Sequence, residues 1–208
     1  MNLPNKLTML RVLMIPVFVV LYLAQSFFWA LVVFVLAAIT DALDGMLARK
    51  YKLVTNFGAL MDPLADKLLV MAAMLCFVAD ALVFAPLVII ILSREFLVTS
   101  IRLVAAGKGV VIAADTWGKL KTVFQMIWII YGLLIIWLGR FLRAVAISRI
   151  DHPEWYSVPP FSEELALLTR AIGVGWLIFS VLTWVVVALT VLSGINYIVR
   201  NRRLINDA

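Results

Sequence analysis

The sequence predicts an all-α, polytopic membrane protein, a bundle of six transmembrane helices with N-in/C-in topology. Of its 208 residues, 65% are hydrophobic and 14% are charged, whereas a soluble domain is about 45–50% apolar and about 25% charged. A chain of this size cannot bury so much apolar surface in its own core. The apolar residues also form segments of bilayer length, and the basic residues are distributed unevenly between the connections.

Six segments approach the roughly 20 mostly apolar residues that a membrane-crossing helix needs. They are Leu10–Leu23, Phe28–Leu47, Leu60–Val78, Leu82–Val104, Thr122–Leu138 and Ala171–Val191. The first is short, and a cleaved signal peptide is its alternative interpretation, but no small-residue cleavage site follows. The one long connection, 139–170, contains prolines that break helices, and we assign it no role. No repeat or linker divides the chain, so residues 1–208 are predicted to form a single domain.

Lys and Arg residues are concentrated on one side of the predicted bundle. That side has 12 of them: Lys6, Arg11, Arg49, Lys50, Lys52, Arg102, Lys108, Lys119, Lys121, Arg200, Arg202 and Arg203. The opposite side has 4: Arg140, Arg143, Arg149 and Arg170. The positive-inside rule therefore places both termini in the cytosol. The net charge of +6 reflects this topology and attraction to the lipid bilayer, and no nucleic acid partner is predicted, because the basic residues do not gather on a soluble face.

Four aspartates lie near the cytosolic ends of the second and third predicted helices. Asp41 and Asp44 are three residues apart, and Asp62 and Asp66 are four apart, so each pair shares one helical face. The two helices are joined by a short turn and must be antiparallel neighbours. An acidic residue within a spanning helix is unfavourable by about 2.5–3.5 kcal/mol, so four of them indicate a compensating cation.

The donor atoms indicate which cation this site takes. Carboxylates without cysteine or histidine ligands favour Mg²⁺, Mn²⁺ or Ca²⁺ over zinc. The single cysteine, Cys76, lies in an apolar run, and the single histidine, His152, lies on the predicted outer side. Two divalent ions bridged by carboxylates are typical of phosphoryl chemistry. The alternative, an acid cluster paired with nearby basic residues for assembly, needs fewer acids than are present.

The residues between the two aspartate pairs suit an anionic ligand. Gly45 and Ala48 leave room against the backbone, and Arg49 can bind a phosphate with two hydrogen bonds. Gly58 opens the third helix, where free amides and the helix dipole favour an anion.

The pattern D-x2-D-G-x2-A-R-x8-G-x3-D-x3-D over residues 41–66 resembles the signature of the CDP-alcohol phosphotransferase family, and all eight fixed positions match. The resemblance implies an enzyme that uses Mg²⁺ or Mn²⁺, with two ions, to move a phosphatidyl group from CDP-diacylglycerol to an alcohol and release CMP. It also implies a homodimer, and together with the topology a cytoplasmic-membrane location with a cytosolic active site. The implied metal ligands are Asp41, Asp44, Asp62 and Asp66, of which Asp66 is also the implied general base. The residues implied to hold the CDP moiety are Gly45, Ala48, Arg49 and Gly58, with Asn5 and Thr8 near the N terminus.

The acceptor alcohol is less constrained by the residues alone. Arg102, Lys119 and Lys121 are predicted on the same side as the aspartates and suit an acceptor that bears a phosphate, but flanking charges with snorkelling side chains explain them equally well. Segments 2–11, 94–102 and 118–125 resemble those of the phosphatidylglycerophosphate synthases in this family. That resemblance implies sn-glycerol 3-phosphate as acceptor and phosphatidylglycerol phosphate as product.

Two alternatives remain open. The same chemistry could use another acceptor, such as serine or inositol phosphate. A cation transporter with an intramembrane carboxylate site is the alternative from another class. Such transporters usually have a second, matching half, whereas residues 118–208 contain no second acid cluster in their predicted spans.

Overall fold

The computed structural model describes residues 3–51, 56–107, 116–150 and 161–202, and all regular structure in these ranges is helical. Six helices lie within them: α1 Leu3–Leu23, α2 Phe27–Tyr51, α3 Asn56–Ala79, α4 Ala85–Gly107, α5 Thr116–Ile150 and α6 Phe161–Arg200. The all-α prediction is therefore confirmed, and each predicted span corresponds to one of these helices.

Two helical segments of the described residues are long and apolar enough to cross a membrane, Thr116–Val145 and Leu167–Arg200. Shorter apolar helical segments occur at Met9–Leu23, Phe27–Thr40 and Lys67–Ala79. Length and composition thus support a membrane protein with two candidate spans among these residues. A crossing by all six helices and the N-in/C-in orientation remain predictions.

The prediction of a long connection over 139–170 is wrong at both ends. α5 continues to Ile150 and α6 already begins at Phe161. Residues 140–150 contain no proline or glycine, so nothing in the backbone chemistry ends α5 where its apolar run ends. A loss of hydropathy marks the expected edge of the bilayer and does not interrupt helical hydrogen bonding. His152 and its neighbouring prolines lie outside the described residues.

α1 and α3 end in the same type of turn, which reverses the chain toward α2 and α4. Gln25 and Ala81 have φ angles of 60° and 55°, and in each turn the next amide donates to the carbonyl five residues earlier over 2.9 Å. This is the Schellman motif, formed here by residues with a Cβ at a strain of about 1 kcal/mol. The Gln25 turn is reinforced by α5, because Arg140 donates to Gln25 Oε1 over 2.8 Å and lies 5.3 Å from the Phe27 ring centroid.

The chain divides into two compact units, and α3, α5 and α6 each contribute to both. The first comprises Met1–Ala72 and Ile129–Ser180. Within it α1 packs against α2 through buried aromatic residues: Phe18 lies 6.1 Å from Tyr22 and 5.7 Å from Phe34 between ring centroids. In a bilayer, helices associate by van der Waals packing and not by removal of side chains from water, so the fit of these rings determines how α2 lies against α1.

The second unit comprises Ala73–Trp128 and Val181–Ala208. Its core is built around Trp128, which is fully buried and lies edge-on to Phe77, with 5.7 Å between ring centroids. The Trp128 indole donates to Thr183 Oγ1 over 2.9 Å. These contacts join the end of α3, the first half of α5 and the second half of α6 in one packed core.

Candidate functional site

The aspartate motif lies on two consecutive helices of the first unit. Asp41 and Asp44 belong to the last part of α2, and Asp62 and Asp66 belong to α3. The helical backbone confirms that the two spacings place each pair on one face of its helix. The side chains of all four aspartates lie outside the described residues, so their role as metal ligands remains a prediction.

The first part of α2 has a regular buried stripe. Ala30, Phe34 and Ala37 are completely buried and follow one another at intervals of four and three residues, the spacing of one helical face. Asp41 and Asp44 continue these intervals in the sequence, so the same face of α2 is the predicted position of this pair.

In α3, Ala65 and Leu69 are buried, and each lies three residues beyond an aspartate in the sequence, Asp62 and Asp66 respectively. Acidic residues of membrane helices face the protein interior, since lipid cannot solvate them. That orientation stays a prediction for Asp62 and Asp66.

The other residues of the motif lie on the same two helices. Gly45, Ala48 and Arg49 belong to α2, and Gly58 lies in the first turn of α3. In that turn the backbone amides lack helical partners, which suits an anion. Asn5 and Thr8 lie in the first turns of α1, and a role in holding CDP remains a prediction for all six residues.

The donor set on these two helices fits a divalent metal. Four carboxylates on two consecutive helices offer the hard oxygen ligands that Mg²⁺ and Mn²⁺ prefer. The residues predicted to hold the ions are therefore of a suitable chemical kind, and their role as ligands stays a prediction.

A second polar cluster lies in the second unit, between α4 and α5. Lys121 Nζ donates to Glu95 Oε1 over 2.5 Å, and Arg94 Nη1 donates to the same oxygen over 3.1 Å. The side chain of Lys121 is only 1% exposed, and that of Glu95 is 23% exposed. Lys121, predicted to bind the acceptor phosphate, is therefore a buried cation held by a carboxylate.

The sequence predicted no role for Arg94, but its side chain lies between α4, α5 and α6. A Cβ built at Gly118 of α5 would lie 3.2 Å from Arg94 Nη2, and one built at Gly194 of α6 would lie 3.2 Å from Arg94 Cγ. The Arg94 Nε is buried and has no hydrogen-bond partner among the residues that the structure describes. A charged residue in the middle of an apolar segment was the signal that could have identified it.

The remaining predicted acceptor residues are exposed. Arg102 of α4 and Lys119 of α5 both have accessible side chains, and the Arg102 guanidinium lies 5.8 Å from the centroid of the Tyr197 ring on α6. The structure thus places Arg102 against α6, a contact that no sequence motif indicated.

Comparison with known proteins shows several chains similar to this one. The chain is 47% identical over 142 residues to the CDP-diacylglycerol–glycerol-3-phosphate 3-phosphatidyltransferase of Bacillus subtilis, an alignment of 61% of this chain and 73% of the relative. It is 40% identical over 163 residues to the enzyme of the same name from Rickettsia typhi, covering 69% of this chain and 92% of the relative. The corresponding Haemophilus influenzae protein is 41% identical over 133 residues, with coverages of 61% and 72%.

The family model for CDP-alcohol phosphatidyltransferases matches residues 1–195. This match includes the aspartate motif on α2 and α3, the basic residues of α4 and α5, and α6 as far as Ile195. Because it covers nearly the whole chain, the protein belongs to the CDP-alcohol phosphatidyltransferase family.

Proposed function

We propose that this protein transfers the phosphatidyl group of CDP-diacylglycerol to sn-glycerol 3-phosphate, giving phosphatidylglycerol phosphate and CMP. The observation that carries the proposal is the complete 41–66 motif, whose four aspartates lie on two consecutive helices, α2 and α3. Relatives at 40–47% identity are named for this reaction, which supports glycerol 3-phosphate as the acceptor.

In the proposed reaction the acceptor hydroxyl oxygen bonds to the phosphorus that bears the diacylglycerol, and the bond from that phosphorus to the CMP oxygen breaks. Asp41, Asp44, Asp62 and Asp66 would hold two Mg²⁺ or Mn²⁺ ions. When bound, such ions would supply positive charge that offsets the negative charge of the pyrophosphate and of the departing CMP. Asp66 takes the proton of the hydroxyl, which is too weakly acidic to react without a base within hydrogen-bond reach.

The CDP moiety is proposed to lie against six residues of the first unit. These are Asn5 and Thr8 of α1, Gly45, Ala48 and Arg49 of α2, and Gly58 of α3. The small residues allow close approach to the backbone, and a guanidinium can hold a phosphate with two hydrogen bonds.

The acceptor's phosphate is proposed to bind the basic residues of the second unit, Arg102, Lys119 and Lys121, with Arg94 added from the structure. Glu95 offsets one of these four positive charges, so the five side chains have a formal net charge of +3. This excess favours a doubly charged phosphate monoester over a neutral or zwitterionic acceptor. The ion pair of Lys121 with Glu95 makes Lys121 the least accessible member of the group.

We further propose that the protein acts as a homodimer in the cytoplasmic membrane, with its active site towards the cytosol. The distribution of basic residues supports this orientation. The acyl chains of the donor would then remain in the bilayer beside the helices, so that no lipid has to be extracted.

The test is CMP release by the detergent-purified protein supplied with CDP-diacylglycerol and Mg²⁺. Glycerol 3-phosphate, serine and inositol phosphate are offered in parallel, with Mn²⁺ and with EDTA in separate reactions. We expect release with glycerol 3-phosphate and no release with EDTA. CMP release with serine or inositol phosphate instead would be consistent with the proposed role of the aspartates. It would refute the proposal that glycerol 3-phosphate is the acceptor. A protein that releases no CMP with any of the three acceptors and either metal, yet conducts cations across liposome membranes without nucleotide, would give a different result. That result would favour a cation transporter over the proposed enzyme.

A further inference from the structure

The C-terminal part of α6 contacts two arginines of α4 at two positions one turn apart. Gly194 lies against the stem of Arg94, and Tyr197 lies against the guanidinium of Arg102. Residues three apart project from one face of a helix, so a single face of α6 supports both cations. All four residues belong to the second unit.

At Gly194 the contact depends on the absence of a side chain. A Cβ there would lie 3.2 Å from Arg94 Cγ and 4.0 Å from Arg94 Cβ, and these atoms are close to the α4 backbone and have little freedom to move. The far end of Arg94 is restricted as well, by Gly118 on α5 and by its hydrogen bond to Glu95. An alanine at position 194 would therefore displace the arginine stem and shift its guanidinium.

At Tyr197 the contact depends on the aromatic ring. The residue is 3% exposed, and a cation within about 6 Å of a ring centroid is attracted by the π-face, a condition that Arg102 meets at 5.8 Å. The Tyr197 hydroxyl is buried and has no hydrogen-bond partner among the described residues. The contribution of Tyr197 to Arg102 therefore comes from its ring.

We propose that Gly194 and Tyr197 are positioning residues of the acceptor site, which hold Arg94 and Arg102 in the conformation that binds the acceptor's phosphate. This inference rests on the proposed function and deepens it. It assigns the choice of a phosphate-bearing acceptor partly to α6, which contributes nothing to the aspartate motif.

The experiment measures kcat and the KM values of both substrates for variants of the full-length protein. Gly194→Ala is compared with Gly173→Ala in the same helix, where a Cβ would have no atom within 4 Å. Both changes favour the helix by the same intrinsic propensity, about 1 kcal/mol. Tyr197→Leu is compared with Tyr197→Phe, which keeps the ring. Thermal unfolding of each variant in the same detergent reports whether it is folded.

We expect Gly194→Ala to raise the KM for glycerol 3-phosphate about tenfold, equivalent to about 1.4 kcal/mol of binding, with the KM for CDP-diacylglycerol unchanged. Gly173→Ala should leave both values unchanged. Tyr197→Leu should raise the acceptor KM about threefold to tenfold through loss of the cation–π contact, and Tyr197→Phe should restore most of the affinity.

The inference is overturned if folded Gly194→Ala matches Gly173→Ala, if donor and acceptor KM rise together, or if Tyr197→Phe is as impaired as Tyr197→Leu. If Gly194→Ala does not fold, the comparison of Tyr197→Leu with Tyr197→Phe tests the inference by itself. These outcomes differ from failure of the proposed function, in which the wild-type protein itself releases no CMP with glycerol 3-phosphate.

Discussion

Removal of the Glu95 carboxylate should destabilise the second unit more than any other single change in its charged cluster. Glu95 accepts hydrogen bonds from both Lys121 and Arg94, whose side chains are 1% and 12% exposed. Glu95→Ala would leave two largely buried cations without the carboxylate that neutralises them. Glu95→Gln is the matched control, because it keeps the shape and one acceptor oxygen but removes the charge.

The expected loss in the free energy of unfolding follows from the burial of Glu95, Lys121 and Arg94. Removing one partner of a fully buried ion pair costs about 3–5 kcal/mol. Glu95 is 23% exposed, so water can replace part of its contribution, and we expect a loss of about 2–3 kcal/mol for Glu95→Ala. Hydrogen bonds to charged groups are roughly twice as strong as neutral ones, so Glu95→Gln should lose about 1 kcal/mol. Adding Lys121→Met to Glu95→Ala removes the buried charge and should recover about 1 kcal/mol or more.

The assay is reversible unfolding in mixed micelles, followed by fluorescence of the tryptophans, of which Trp128 lies in the core of the same unit. The reasoning is refuted if Glu95→Ala unfolds within about 0.5 kcal/mol of wild type, a usual effect of a surface change. It is refuted equally if the double variant with Lys121→Met is less stable than Glu95→Ala alone.

Three further predictions concern other parts of the chain. Asp66→Asn should abolish CMP release while CDP-diacylglycerol binding persists, since it removes a base, with Asp80→Asn on the exposed α3–α4 turn as the control; loss of donor binding would instead make Asp66 chiefly a metal ligand. Thr183→Val should lower the free energy of unfolding by about 1 kcal/mol through loss of the indole hydrogen bond, and an unchanged unfolding midpoint would contradict it. Gly175→Ala should destabilise the first unit by about 1–3 kcal/mol, because its Cβ would lie 2.4 Å from Ile135 Cδ1; equal stability of this variant and Gly173→Ala would count against that packing.

The number and order of helices could be predicted because apolar segments of bilayer length are a local property of the chain. Their ends could not be predicted as well. α5 passes beyond Leu138 and α6 begins before Ala171, since the hydrogen bonds of a helix continue through polar residues until a proline or a turn interrupts them.

The aspartate motif could be recognised in the sequence because the spacing of its residues depends only on neighbouring parts of the chain. Asp41, Asp44, Asp62 and Asp66 lie on two helices that are consecutive in the sequence, and helical periodicity alone places each pair on one face. The direction of that face depends on packing with other helices, which the sequence does not determine; in α2 the described buried stripe is Ala30, Phe34 and Ala37.

The basic residues show what the sequence by itself could not determine. Lys119 and Lys121 are indistinguishable as flanking charges in the sequence, yet one is exposed and the other is buried against Glu95, 26 residues away. Membrane class, helix order and the predicted aspartate site follow from composition and short-range spacing, which act within one or two helices. Which cation is paired, which is open to a ligand and which lies against Gly194 or Tyr197 depends on contacts between helices distant in sequence, and only the tertiary structure decides those.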